Sequence, residues 1–574
     1  MNNYDHRRRE AGRRFRRRRA RRNAFRAFLV LVCLVAIPLL LFSWLSSDSD
    51  TPDISDTSDV TDDPDDPGTP EGASPALNPT PWEDFHPHSL PETDPQRANF
   101  GFQWDTQIVG DLGPIHFGRP EDYTTLAGIT TFRGDNFRNQ AAWGTVNIVE
   151  ERLVETYMLG TGRMGEWSGV GWSGQPAIVQ WDFALQQQMN IVPSKRDDPN
   201  LVEVIQGVMD GYIYFFDLAD GVQTRPPIRL GEPIKGGVTV DPRGYPLLYV
   251  GQGVMFGDQF GFFIYSLIDG SELFFIDGHD PFASRDWGAF DANPVIDKVN
   301  DRMILAGENG VIYSVLLNTS FDRTAGAITI NPVVSRYRHT TTPHRGMYGM
   351  ESSPAAFSHY LFVADNSGII QCIDLRTLEP VWVFDAGDDT DATLVLDWEE
   401  EHQRLVLYTG TSVDLQGPGS YAFVRKLDAA TGAVLWEHAY PCRHNPDVNG
   451  GVMGTPVLGK GDISDLVIFS IAKPIGVGGD NLLIAYDRES GDVVWETVMS
   501  VYAWSSPVAV YTPDGISYLI LADQQGRLHL IRGITGEIVY SLQLYGTIEA
   551  SPAIFGNQIV IGTRWLRIFG VEIL

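Results

Sequence analysis

Cysteine is scarce in this chain: three residues in 574, at Cys33, Cys372 and Cys442. The first lies inside an apolar run, so only two remain for the rest of the protein. This excludes a disulfide-built scaffold, and the lack of any CxxC pair excludes a thiolate zinc site and a CxxCH haem attachment. Cys372 and Cys442 read as two free, buried thiols, since cysteine is a common core residue. Positive charge is also scarce beyond the first 26 residues. The net charge is -30, and residues 101–574 alone carry -27. A body this acidic repels phosphates and anionic lipid heads, which argues against nucleic acid as a partner. Helical periodicity is nearly absent, so stacked helical repeats are excluded as well.

Long apolar runs are missing with one exception. From Ala27 to Leu45 nineteen residues pass without a charge. As a helix they would rise about 28 Å, close to the hydrocarbon thickness of a bilayer. Twelve arginines precede the run and place the amino terminus inside. The run ends in SWLSSDSD, a poor cleavage site, so it reads as an uncleaved anchor. Residues 47–100 are rich in Asp, Ser, Thr and Pro and carry fourteen acids against Arg97. Like charges and low hydrophobicity predict a disordered spacer. The expected organisation is an Arg-rich cytoplasmic tail (1–26), a transmembrane helix (27–46), an acidic linker (47–100) and a β-rich body (101–574). The protein is then expected in the cell membrane as a single-pass chain, with its body outside the cytoplasm.

The body is organised by a repeat. In LDAATGAVLW, Asp428 is followed by Gly432 and Trp436, and the same 0/+4/+8 spacing returns as Asp487, Gly491 and Trp495. Ser266, Gly270 and Phe274 repeat it with weaker residues, as do Arg532, Gly536 and Tyr540. Asp374 and Trp382 keep the outer pair with Leu378 in the glycine place; Asp217 and Gly221 are followed by Arg225 in the aromatic place. Such a unit is a hairpin: the Asp carboxylate bonds turn amides, glycine supplies positive φ, and the next strand carries a ring. A second signature precedes each hairpin, small residues and proline before an apolar strand, as in ESSPAAF, MGTPVLG, SSPVAVY and ASPAIFG. Eight such starts, about 40 to 60 residues apart, predict an eight-bladed, all-β propeller of four-stranded meanders. The last unit runs out before its fourth strand, and residues 152–160 are expected to supply it and close the ring.

With TTFRGDNFRNQ (130–140) ahead of the first blade, these D-x-x-T-G-x-x-x-W hairpins and SPA starts resemble PQQ-like propeller repeats. That superfamily includes quinoprotein alcohol dehydrogenases and the propeller lipoprotein of the outer-membrane barrel assembly machinery. The resemblance implies the fold; the dehydrogenases it covers also hold a quinone against an adjacent cysteine pair, beside calcium-binding carboxylates. No Cys-Cys occurs here, which argues against PQQ, and His344, His438 and His444 lack metal-ligand spacing.

Innermost strands begin near one face of a propeller, so the residues before each start converge on the channel mouth. There the sequence places Trp172, Lys235, Asp291, Glu351, Asp391, Trp504 and Glu549, with Glu166, Trp167 and Arg564 near by. Acids and tryptophans around a funnel suit a cation, a sugar or a peptide, and crowded carboxylates leave calcium open as a ligand. The expected function is therefore a membrane-anchored, non-catalytic binding or scaffold module for protein or glycan ligands. The alternative is an extracytoplasmic propeller enzyme, either a quinoprotein dehydrogenase or a carbohydrate-active one.

Overall fold

Each repeat forms a four-stranded antiparallel meander, and eight of them make a ring. The computed structural model describes residues 85–574, apart from 92, 93, 107, 109–111, 258, 446 and 447. The Arg-rich tail, the proposed membrane helix and most of the linker lie outside the described residues; among those described, no helix is long and apolar enough to cross a membrane. The innermost strands, blades one to eight in order, are Ala177–Gln180, Val238–Val240, Val295–Asp297, Ala355–Phe357, Val395–Glu399, Val457–Leu458, Val508–Tyr511 and Ala553–Phe555. The strand Leu153–Gly160 pairs antiparallel with Arg567–Ile573 and completes blade eight, as its position in the sequence predicts. Both ends of the ring are thereby locked in one sheet, and no edge is left at the seam.

The repeat residues meet across blade boundaries. The Asp carboxylates accept turn amides as expected: Asp428 from Ala430, Asp487 from Glu489, Asp374 from Arg376 and Asp217 from Ala219. Gly432, Gly491 and Gly221 all have φ near +70°. Their second role lies in the neighbouring blade. A Cβ on Gly432 would stand 2.8 Å from the ring of Trp382, and one on Gly491 2.8 Å from Trp436. Each tryptophan thus lies flat over the next blade's glycine turn. Its indole also donates to that turn: Trp382 to the Ala429 carbonyl, Trp436 to Arg488 and Trp495 to Gly533, at 3.0 to 3.1 Å. In blade one Arg225 does the same work without an aromatic ring, donating to the Leu267 carbonyl at 2.7 Å while buried against Glu203. At the seam, Tyr157 from the closing strand covers Gly221.

The small-residue starts form a belt around the axis. The backbone amides of Asn293, Ser353, Thr393, Thr455 and Ser506 donate in turn to the hydroxyls of Ser353, Thr393, Thr455, Ser506 and Ser551, each on the next blade. A hydroxyl on a short side chain is what fits this spacing, which explains the recurrent Ser and Thr.

The ordered body begins earlier than composition indicates. Phe85, read as part of the linker, is buried against Phe357 and Tyr360 of blade four. Phe100–Thr106 then adds a fifth, outer strand to blade three by pairing with Val333–Thr341. One aromatic residue in a proline-rich stretch carries no periodic signal, so the composition hides this anchor.

Candidate functional site

The channel is closed from one side by the chain itself. Ala127–Ile129 runs antiparallel to the innermost strand of blade one, and Ala142–Trp143 runs parallel to that of blade eight. Residues 130–140 therefore enter from the face opposite the strand starts, turn inside the channel and leave again. Within it, Thr130, Asn136 and Phe137 accept amides of Val240, Ala356 and Leu396. Arg133 donates to the carbonyls of Pro507 and Pro456 at 2.7 and 3.0 Å. Arg138 donates to Pro354, Asn293 and Pro294. With its two flanking strands this segment bonds to all eight blades. Burial brings both guanidinium groups down to about 10, still protonated at neutral pH. The turn is held by Asp135, which accepts the Phe137 amide at 2.8 Å and the Asn139 amide at 3.4 Å; burial raises its carboxyl to about 6 against Lys460, these two amides and Arg138. TTFRGDNFRNQ is thus a plug, a role that its place ahead of the first blade does not reveal.

The mouth is consequently a blind cup. Trp172 is buried at its floor and reaches from the start of blade one to the Met453 carbonyl before blade six, at 3.3 Å. Trp504 is half-buried and donates to Asn449. Four of the sequence-predicted residues, Lys235, Asp291, Glu351 and Asp391, gather on the side formed by blades two to five. The Lys235 ammonium bonds Asp291 and lies 3.7 Å from Glu351. Two further acids join them from positions the strand-start rule misses: Glu308, in the turn between the second and third strands of blade three, and Asp389. Turns of that kind return to the same face as the starts, so their acids could have been included.

Electrostatics in this half of the cup is strained. Burial, reinforced by Glu351 and Asp291, pushes Glu308 well above the usual carboxylate range. Burial also raises Asp291 against the pull of Lys235, and raises Asp389 and Asp391, whose neighbours Glu351 and Asp414 add to the effect. Lys235 is held protonated because Asp291, Glu351 and Glu308 outweigh its own burial.

The opposite half is aromatic. Glu549 pairs with Arg564 at 3.0 Å, and Arg564 lies over the ring of Trp167 at 5.6 Å. Glu166 stands exposed at the tip of the same short hairpin and does not reach the acid cluster. Trp565, Tyr545 and Phe256 are 60%, 59% and 55% exposed on this face, which is unusual for such large apolar groups. Trp565 and Tyr545 pack together at 5.7 Å. Cys372 and Cys442 are buried and free in separate parts of the ring, so the residues present do not offer the adjacent thiol pair associated with a quinone.

Residues 420–511, from the third strand of blade five into blade seven, match the family model described as outer membrane protein assembly factor BamB. No curated protein sequence matches the chain. Among solved structures, BamB from Moraxella catarrhalis is similar at 15% identity and a TM-score of 0.45, over 73% of this chain and 98% of that one. A europium-containing methanol dehydrogenase is similar at 12% identity and 0.42, over 69% and 89%. The computationally designed Ika8 protein gives 12% and 0.42, over 71% and 99%.

Proposed function

We propose that this propeller of PQQ-like repeats is a non-catalytic binding module that takes a protein or glycan ligand on its mouth face. The observation carrying this reading is the blind cup: a plugged channel whose open end joins buried carboxylates to a rim of exposed aromatic rings. Aromatic groups flanking a polar recess supply contact area and orientation at protein and sugar interfaces alike. The anchor at residues 27–46 would hold the module at the cell membrane, with the cup outside the cytoplasm. A thermal-shift screen of the full chain against basic peptides and glycans tests the reading. Stabilisation by a ligand is expected to be lost in Glu351→Ala and Trp504→Ala; a ligand whose effect survives both variants binds elsewhere and refutes the assignment.

One observation favours a second reading, an extracytoplasmic propeller enzyme. Asp291 and Glu308 form a buried carboxyl pair with raised proton affinity, the kind of environment that tunes a general acid. Glycoside hydrolysis or dye-linked alcohol oxidation that disappears in Glu308→Gln would establish it in place of the binding reading.

A further inference from the structure

We propose that Lys235 and Asp291 become joined by an intramolecular isopeptide bond, formed by the folded chain itself with Glu308 as the acid. The bond ties the start of blade two to the start of blade three on the wall of the cup. The proposal goes beyond the binding reading and does not depend on it, since no ligand takes part.

The two reacting side chains are pressed together by the backbone around them. Lys235 is in direct ionic contact with Asp291, and Asp291 is 1% exposed. Glycines on both sides make room for the pair. A Cβ on Gly236 would stand 2.1 Å from the Asp291 carbonyl oxygen. One on Gly253 would stand 2.5 Å from Asp291 Oδ1 and 2.7 Å from Lys235 Cβ. Neither partner has space to swing away, and held contact of this kind is what turns a slow condensation into an intramolecular one. A surface ion pair lacks this, because its two ends stay solvated and mobile.

A third group is placed for the proton transfers. Glu308 is 2% exposed; its Oε2 accepts Trp287 Nε1 at 2.9 Å, and its Oε1 has no hydrogen-bond partner. Asp291 Oδ1 is buried and unpartnered as well. One carboxylate oxygen from each of Asp291, Glu308 and Glu351 lies within 4.8 Å of the others. Burial, reinforced by Glu351 and Asp291, favours the protonated form of Glu308, which suits it to donate to the Asp291 carboxyl. Glu351 lies 3.7 Å from Lys235 Nζ and is placed to take the ammonium proton.

The step balances without a co-reactant. Loss of a proton frees the Nζ electron pair, which attacks Asp291 Cγ while Glu308 donates to the carboxyl oxygen. The Nζ–Cγ bond forms and one Cγ–O bond breaks, its electron pair leaving on oxygen. Of the three ammonium protons, one stays on the amide nitrogen and two depart on that oxygen as water. Glu351 and Glu308 relay them and end as they began. A single turnover suffices, because resonance protects the amide from reversal. The product removes one positive and one negative charge from the cup and closes a covalent loop over blade two.

Mass spectrometry of the full-length chain tests the bond. The intact protein is expected to be one water lighter than its sequence, and trypsin should no longer cut after Lys235. A branched peptide joining residues 230–243 to 286–298 should appear instead. Lys235→Arg and Asp291→Ala should restore the full sequence mass. Glu308→Gln keeps the shape but not the acid and should leave most chains unlinked, whereas Glu155→Gln, on the exposed closing strand, should stay linked. A parent chain at full sequence mass, cleaved after Lys235, would overturn the proposal. So would a water loss that persists in Lys235→Arg, which would place the dehydration elsewhere, as in a succinimide at an Asp-Gly turn.

Discussion

Replacing Gly432 by alanine probes the contact that joins one blade to the next. Two costs follow from its geometry. Its φ of +72° lies in the left-handed region, where an alanine loses about 1 to 2 kcal/mol. The new Cβ would also stand 2.8 Å from Trp382, a fully buried ring with no room to retreat, and such overpacking costs about 1 to 3 kcal/mol. A total near 3 kcal/mol is expected. Trp382→Ala alone should cost about 3 to 5 kcal/mol, through a cavity and the lost bond to the Ala429 carbonyl. In that background the steric part of Gly432→Ala disappears and only the backbone part, about 1 kcal/mol, remains. A double-mutant cycle by urea unfolding should therefore show a coupling near 2 kcal/mol. Equal costs of Gly432→Ala in both backgrounds would refute the idea that the glycine is there to receive the ring.

Other parts of the fold give equally direct tests. Tyr157→Ala removes the ring that covers Gly221 at the seam and should cost about 3 kcal/mol by urea unfolding, with protease cleavage appearing first between residues 153 and 160. Arg138→Lys keeps the charge but cannot reach its five acceptors, so it should lose about 3 kcal/mol rather than behave as a conservative change. Asp135 has a folded-state value of about 6 against an ordinary 3.8, so the folded state binds its proton more tightly than the unfolded one. Its contribution to stability is present below pH 3.8 and falls by about 3 kcal/mol as pH rises to about 6. Asp135→Asn should flatten that part of the urea-derived profile relative to the parent chain; an unchanged slope between pH 4 and 6 would contradict the assignment.

The ring was legible because its signals are local and repeated. A hairpin needs an acceptor, a positive φ and a following strand within nine residues, and Asp487, Gly491 and Trp495 state all three. The closing strand was legible too, since the last unit visibly lacks one. What pairs across hundreds of residues was not. That Trp436 sits on Gly491 of the next blade, or that Ser506 accepts the amide of Thr455, follows only once the blades are wound about a common axis. The plug is the clearest case. Arg133 and Arg138 look like surface arginines in TTFRGDNFRNQ, yet five of the carbonyls they donate to lie between 155 and 374 residues away in sequence. At the mouth, the strand-start rule found Lys235, Asp291, Glu351 and Asp391 together, because those positions are set by the inner strands. It missed Glu308 because turns between second and third strands carry no start signature. Trp172, which the same rule places at the mouth, is buried and donates to the Met453 carbonyl, a contact across the ring that its local sequence does not signal.

The central claim is that ligands engage this propeller at its mouth face. A photo-crosslinking residue placed at Trp565, on the exposed rim, and separately at Val434, on the outer strand of blade five, tests it in intact cells. The account predicts a discrete adduct from position 565 that weakens in the Glu351→Ala background, with none from position 434. Adducts of equal yield at both positions, or one confined to 434, would contradict it.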